Sequence, residues 1–425
     1  MRAVVVGGGL AGLAAALDLV DGGATVTLLE ARPALGGAVQ TLPEREGDPA
    51  PPPDNGQHVA LGCCTEYLSF LRRIGQEAAI RRVRLAMPVI DERRRVAHLG
   101  AGMVPLLRYG HLTTGDRLRV GLVAQRIGQM RPENHDHETF GALLRGLGTS
   151  GPAIDRFWDV FIRPALNLPA DEASATLGIF TVKTALLGPR SASDLLLPTA
   201  PLGAMHGDAG ARTLEQAGAS VRTRSRIVTL EADAAVTADG ERAEGDCFVL
   251  AVPPADAAEL LGEPAPSLED SPIVSVHLLF DRQLLRPPLA ALLGSPAHWI
   301  FDRGRITGHA PETGQYLTVV SSGAPELEAI RGRELVELMR SAIVERLGPA
   351  ELLWSRVSRE PQATFAGRPG TAGRRPPPQT SRPNVVRAGA WTATGWPATM
   401  EGAIRSGREA ARALLESPLR ERVSP

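Results

Sequence analysis

Only three cysteines occur in 425 residues, Cys63, Cys64 and Cys247. That is too few for a disulfide framework and fits a reducing compartment. The adjacent pair could close only with strain and has no metal-ligand spacing beside it, so both read as small core residues. Lysine is almost missing. Lys183 is the single one, and arginine carries the remaining positive charge. Neither sign of charge prevails, with 46 Lys and Arg against 47 Asp and Glu and a formal net charge of -1, which excludes the basic excess of a nucleic-acid binder. No run reaches the roughly 18 uninterrupted apolar residues of a membrane span. The stretch from Arg2 to Val20 has the charge and apolar character of a secretory signal. Gly7, Gly8, Gly9 and Asp18 interrupt it, and no small-residue cleavage site follows, so the expected location is cytoplasmic.

What is present is an ordinary globular balance, 43% hydrophobic and 22% charged, which excludes wholesale disorder. The length suits about two or three domains' worth of chain. Residues 3–6 read as a buried strand, Leu10 to Val20 as a helix packed on both sides, and Ala24–Leu29 as a second strand, together a βαβ unit with parallel strands. Residues 43–53, rich in proline, read as an exposed loop with little structure of its own. From about Leu61 to Leu197 the pattern is mostly helical, with apolar spacing near three to four at 67–74, 115–130, 139–147 and 153–161. A helix entry at 201–216 precedes short strands at 221–223, 227–231, 235–237 and 247–252. Alternation marks strands at 273–280, 297–301 and 316–321. A long amphipathic helix at 326–347, a basic proline-rich connection at 374–378, a strand at 384–388 and a helix from 401 to about 416 follow.

Gly7-x-Gly9-x-x-Gly12 directly follows the first strand and opens the helix. The first glycine permits the tight turn, the second lets a pyrophosphate approach the backbone, and the third lets helix and sheet pack closely. The helix start adds free N–H groups and the positive end of a dipole. Glu30 stands eighteen residues after Gly12 at the end of the second strand. There a carboxylate can accept from a ribose diol, a contact worth roughly 1.5–3 kcal/mol. Strand, helix, second strand and terminal acid in this order point to dinucleotide binding.

A second glycine pair, Gly36-Gly37, closes the run Glu-Ala-Arg-Pro-Ala-Leu-Gly-Gly at 30–37. Here the sequence resembles the flavin-dependent amine oxidase and phytoene desaturase superfamily, in which this pair lets the chain pass the flavin's phosphates. The segments Gly389-Ala390-Trp391-Thr392 and Gly395-Trp396-Pro397-Ala398-Thr399-Met400-Glu401-Gly402-Ala403 strengthen the likeness. In that superfamily they fold back beside the first glycine motif, and N–H groups at the start of the helix face the flavin's pyrimidine end. Where relatives commonly carry an arginine and an aspartate this chain has Ala38 and Ala390. The Cys247–Pro254 segment resembles the strand before a proline-capped turn in the same superfamily, and Ile227 falls where a family backbone amide meets the adenine. The form Asp54-Asn55-Gly56-Gln57-His58, together with the 391–399 segment, looks like the hydroxysqualene dehydroxylases of bacterial hopanoid pathways.

The resemblance implies an α/β fold, an FAD-binding Rossmann-like domain of glutathione-reductase type interleaved with an α+β substrate domain. The expected FAD-binding parts are 1–62, 198–265 and 366–425, and the expected substrate-domain parts are 63–197 and 266–365. It implies FAD, non-covalent because no cysteine lies in 389–407, held by Gly7, Gly9, Gly12, Glu30, Gly36, Gly37, Ile227, Gly389, Trp391, Glu401, Gly402 and Ala403. It implies a long isoprenoid alcohol as substrate, an apolar tunnel walled at the flavin by Trp391 and Trp396, and loss of an allylic hydroxyl with hydride from reduced flavin. His58 is the first candidate for the acid, Asp54 and Glu66 are weaker ones, Gln57 is a hydrogen-bond positioner, and Asn55 completes the expected catalytic loop. The electron donor stays unnamed. Three other readings stand beside this one: a carotenoid desaturase, an amine oxidase using Lys183, and a non-catalytic isoprenoid-binding protein with a degenerate flavin site. The arginines at 72, 73, 81, 82, 84 and 93–95 read as a solvated face. The alternative is a footing on anionic lipid at the inner face of a membrane, helped by apolar side chains in 103–123.

Overall fold

The computed structural model describes residues 1–417, so the last eight residues of the expected 366–425 segment lie outside the described chain. Arg2–Val6 and Thr25–Leu29 are short runs of Val and Leu with almost every side chain buried, the pattern of strands covered on both faces. They pair in parallel across the helix Leu10–Asp21. Cys247–Leu250 and Val385–Arg387 add on one side and Ser220–Arg222 on the other. One five-stranded parallel sheet thus gathers strands from the start, middle and end of the chain. The helix Leu10–Asp21 is small enough to bury nearly all its first ten residues, and it packs on Met400–Leu415. Gly407 makes that contact possible, because a Cβ there would lie 2.1 Å from the Ala11 carbonyl oxygen.

A second, seven-stranded sheet runs in the order Leu352–Phe365, Asp270–Phe280, Gln315–Ser322, Trp299–Asp302, Leu289–Leu292, Ala86–Ile90, Val96–Gly100. Alternation along Asp270–Phe280 sorts its two faces. Val274, Val276, Leu278 and Phe280 pack with Leu335, Met339 and Ile343 of the helix Gly332–Leu347. Ser275 and His277 point the other way, toward the five-stranded sheet's loops. Helices between 103 and 186 form a third mass around Tyr109, Phe140, Trp158 and Ile162.

The chain departs from the helical expectation for 61–197. Ile80–Val83, Ala86–Ile90, Val96–Gly100 and Leu195–Pro198 are strands there. Arg81 and Arg82 are exposed in the first of these, and the other three are short, largely apolar runs of four or five residues that periodicity alone does not separate from helix. The helix expected at 326–347 begins only at Gly332, after a turn at Pro325–Leu327. The 43–53 loop is better tied than its prolines suggest. Arg356 forms a buried ion pair with Asp48 and donates to the Pro43 carbonyl, and the Leu42 N–H donates to the Pro53 carbonyl.

Candidate active site

The first glycine turn and the second glycine pair touch. The Gly36 N–H donates to the Gly8 carbonyl at 2.9 Å, and Gly9 bridges Gly36 as in a parallel ladder. Gly37 has φ +60°, and a Cβ on it would stand 2.9 Å from the Gly9 Cα. A Cβ on Gly12 would stand 1.9 Å from the Gly7 carbonyl oxygen. Bare backbone therefore floors the space before the helix start, where Gly9 caps Leu10–Asp21 without a side-chain bond. Glu30 lies at the same edge. Its two carboxylate oxygens accept from the Gly8 and Arg32 N–H groups at 2.7 and 2.8 Å, so it braces the turn and keeps a lone pair on each oxygen for a diol. Ile227 opens the strand Ile227–Leu230 and packs with Val6, Leu29 and Trp391.

The C-terminal loop is organised by a residue that sequence reading passed over. Arg375 is buried and donates to the carbonyls of Trp396 (2.7 Å), Ala390 (3.1 Å) and Thr392. Its guanidinium also lies over the Phe365 ring at 4.9 Å. Burial lowers its pKa to about 10, so it stays charged at neutral pH. The signal was the pair Arg374-Arg375 at the head of a proline-rich connection, which looks like a solvated linker until the carbonyls of 390–396 surround Arg375.

Four residues of this loop and the helix after it, Trp391, Glu401, Gly402 and Ala403, sit differently from expectation. Trp391 does not wall a substrate space. It is buried in the core beneath the five-stranded sheet, with Nε1 donating to the Val252 carbonyl at 3.1 Å, and a Cβ on Gly389 would collide with its ring. Gly402 donates its N–H to Thr399 Oγ1 at 3.1 Å and Ala403 donates to the Thr399 carbonyl at 2.9 Å, leaving the Met400 and Glu401 amides at the helix opening. The Glu401 side chain turns away altogether. It is fully buried and accepts from the Glu66 and Tyr67 N–H groups at 3.2 and 2.8 Å, holding the start of the helix Thr65–Arg73. Trp396 remains half-buried, edge-on to Phe180 at 5.1 Å and under the Arg405 guanidinium.

The 54–58 stretch is pinned between the two sheets. The Asn55 N–H donates to the Gln40 carbonyl at 3.0 Å, its Oδ1 accepts from the Gln40 N–H at 3.5 Å, and its Nδ2 donates to the Ala38 carbonyl (2.8 Å) and to Glu360 (3.2 Å) on the long strand Leu352–Phe365. Asp54 is a node: Oδ1 accepts from Thr41 and the Leu202 N–H, and Oδ2 meets Arg303 at 2.7 Å with both side chains 3% exposed. Glu66 is likewise paired, to Arg408. Neither carboxylate is poised as a free acid. His277 Nε2 donates to the Asp54 carbonyl at 2.9 Å, which fixes the neutral tautomer with Nδ1 accepting from Thr318. Gly56 faces Ser275, whose Oγ would lie 2.7 Å from a Gly56 Cβ. Gln57 donates to the His58 carbonyl at 3.2 Å. Two covered polar atoms around this loop, His58 Nδ1 and Ser275 Oγ, have no partner among the described residues. Burial lowers the His58 pKa against the pull of Asp54, so the resting ring is neutral rather than the imidazolium expected from sequence. Ser275, His277 and Arg303 were missed; the alternation of 273–280 places Ser275 and His277 on one face.

These features fit a flavin dinucleotide: a side-chain-free floor at a helix start, a braced acid, and unpartnered polar atoms on the loop beyond. A model of the family described as flavin containing amine oxidoreductase matches residues 10–415. The chain belongs to that family. It is an FAD-dependent oxidoreductase. It is 30% identical to a hydroxysqualene dehydroxylase of Rhodopseudomonas palustris, covering 97% of each chain. It is also 26% identical to a zeta-carotene desaturase of Synechocystis sp., covering 99% of this chain and 98% of that one. A putative protoporphyrinogen oxidase from Exiguobacterium sp. 255-15 shares its fold at TM-score 0.74 and 16% identity, with 97% and 98% covered. The expected α/β fold with a parallel sheet is the one observed.

Beside the family's glycine turn, His206 and Tyr67 form a fully buried pair. Tyr67 Oη lies 2.9 Å from Nε2, while Nδ1 donates to the Leu202 carbonyl at 2.9 Å. Burial lowers the His206 pKa to about 4, that of His277 to about 3 and that of His298 to about 4. A folded pKa below the unfolded 6.5 means stability present above pH 6.5 and lost as pH falls toward 4. Each such histidine contributes up to roughly 1.4 kcal/mol per pH unit across that window. Unfolding free energy measured from pH 7.5 to 4.5 should therefore fall, and His206→Gln should flatten the slope by about one proton. An unchanged slope would remove His206 from this account.

Proposed function

We propose that the chain replaces the allylic hydroxyl of a squalene-like isoprenoid alcohol with hydrogen, using non-covalently held FAD. Bound at the glycine floor, reduced FAD supplies a hydride, so that R–OH, hydride and one proton give R–H and water. In this reading Gly7, Gly9, Gly12, Gly36 and Gly37 would admit the pyrophosphate, Glu30 would accept from the ribose diol, and the Glu401 amide at the helix opening would favour negative charge on the flavin. The 54–58 loop then lies at the reacting side. The observation that carries the reading is this loop, pinned between both sheets with His58 Nδ1 and Ser275 Oγ unpartnered beside it. A substrate with a single hydroxyl needs a few polar atoms of that kind in an otherwise apolar space. Likeness to a dehydroxylase along the whole chain supports the same substrate class.

His58 is assigned the proton for the departing hydroxyl. Because burial depresses its pKa, only a small fraction is protonated at neutral pH. Turnover per bound flavin should therefore rise as pH falls from 8 to 6.5, and His58→Gln should lower turnover by roughly 10²–10⁴-fold and abolish that rise while flavin content stays unchanged. Equal turnover in His58→Gln with reduced FAD supplied would exclude it. The decisive assay is anaerobic incubation of the flavin-loaded protein with hydroxysqualene and a chemical reductant, followed by mass analysis of the lipid. Loss of oxygen supports the proposal; loss of two hydrogens under oxidising conditions supports the carotenoid-desaturase reading, which the Synechocystis likeness favours as second. The amine oxidase reading has lost its lysine, since Lys183 Nζ is committed to the Met130 carbonyl at 2.7 Å at the end of the helix Thr114–Gln129.

A further inference from the structure

Most of the large apolar side chains exposed among the described residues lie in one region: Met103, Val104, Leu107, Leu118, Leu122 and Leu187 are 44–59% exposed. They belong to one surface. Met103 Cε lies 3.3 Å from where a Gly121 Cβ would be, and Leu187 Cδ1 3.4 Å from that of Gly128, so both border the helix Thr114–Gln129. That helix buries Val120, Val123 and Ile127. At 100° per residue, Leu118 and Leu122 project from its opposite side, where a water-soluble helix carries polar groups. Arg119 and Arg126 flank the two leucines on the same helix, and Arg108 follows Leu107 on the helix Met103–Arg108. None of these three guanidinium groups has a partner among the described residues. Residues 80–131 hold eleven arginines against three carboxylates, a net +8 in a chain whose total is -1.

We propose that this face docks on an anionic lipid bilayer, its leucines, valine and methionine entering the acyl boundary and its arginines meeting phosphate headgroups. No helix in the described residues is long and apolar enough to cross a membrane, so the contact is peripheral. Apolar side chains aimed outward between unpaired arginines match a surface that is apolar below and negative above. Only the further step, that a lipid-borne substrate is met there, rests on the proposed function.

The test floats the full flavin-loaded chain with vesicles of phosphatidylcholine, alone or mixed with phosphatidylglycerol. The chain should float with the mixed vesicles, less so at high salt. Leu118→Asp/Leu122→Asp should lower the bound-to-free ratio at least tenfold, and the milder Leu118→Ser/Leu122→Ser by less. Arg108→Gln/Arg119→Gln/Arg126→Gln should lower it roughly a hundredfold on mixed vesicles, about fivefold per charge, with little change on neutral ones. An unaltered flavin spectrum and unfolding midpoint would show that the variants fold. Failure of the wild-type chain to float overturns the proposal, as does equal floating of the leucine variants. A dimer that the leucine variants dissociate, without vesicle binding, would assign the face to a second copy of the chain instead. None of these readouts involves dehydroxylation, so the docking and the reaction stand or fall separately.

Discussion

A Gly37→Val chain should be purified without flavin. Its backbone would have to keep φ +60°, a conformation a β-branched residue resists by roughly 1–2 kcal/mol, with a Cβ 2.9 Å from the Gly9 Cα. Neither strand of this crossing can yield, because the Gly36 N–H is bonded to Gly8 and Gly9 is bridged to Gly36. The added methyl groups would fill the floor on which a pyrophosphate must rest. We expect at least a hundredfold loss in FAD affinity, about 2.7 kcal/mol, read by fluorescence titration of the flavin-free protein. Gly75→Ala is the control: it carries the same strain at φ +70°, but its Cβ would meet nothing within 4 Å. It should retain flavin while losing some stability. Full flavin content in Gly37→Val would show that the second glycine pair is not the phosphate floor.

The second large effect is expected at Asp54. Removing the carboxylate in Asp54→Ala leaves the Arg303 guanidinium buried with the Pro52 carbonyl as its remaining acceptor and Nε already unpartnered. It also strips the Leu202 N–H and the Thr41 hydroxyl of an acceptor. Breaking one side of a buried pair costs roughly 3–5 kcal/mol, more than the pair itself contributes relative to apolar residues. Urea unfolding should show that loss, and Asp54→Ala/Arg303→Met should recover part of it. Asp54→Asn, which keeps an acceptor toward Leu202, should fall between. A change under about 1 kcal/mol in Asp54→Ala would mean water reaches Arg303. Because the Asp54 carboxylate ties the 54–58 loop to Thr41, Leu202 and Arg303, the loop should loosen without it, and turnover should fall with stability.

Much of the fold was legible because its signals are local. The first βαβ unit lies within thirty residues, so its glycine spacing, its alanine-rich helix and its two apolar strands all fall inside one short window. Strands such as Arg2–Val6 and Cys247–Leu250 are buried on both faces, so their apolar runs identify them without partners. The strands at 80–100 escaped because each is only four or five residues long, too short for its period to separate strand from helix, and Arg81 and Arg82 fill the exposed middle of Ile80–Val83. Leu118 and Leu122 belong both to the helical pattern at 115–130 and to the apolar 103–123 stretch weighed for a lipid footing, since periodicity counts apolar residues without saying which side is inward. Trp391 was placed at the substrate because its segment resembles the family's, whereas the close approach that Gly389 permits turns the ring into the core.

The sequence by itself determined the dinucleotide turn, the acid at the end of the second strand and the family likeness, because these depend on residue types at fixed short spacing. Tertiary structure alone decided which polar groups are spent and which remain. It commits Asp54 to Arg303, Glu401 to the helix Thr65–Arg73 and Lys183 to a carbonyl, while His58 Nδ1 and Ser275 Oγ are left unpartnered among the described residues. The physical reason is that hydrogen bonding in a buried space is satisfied by whichever group the packing brings near, often hundreds of residues away, and no spacing along the chain records that meeting.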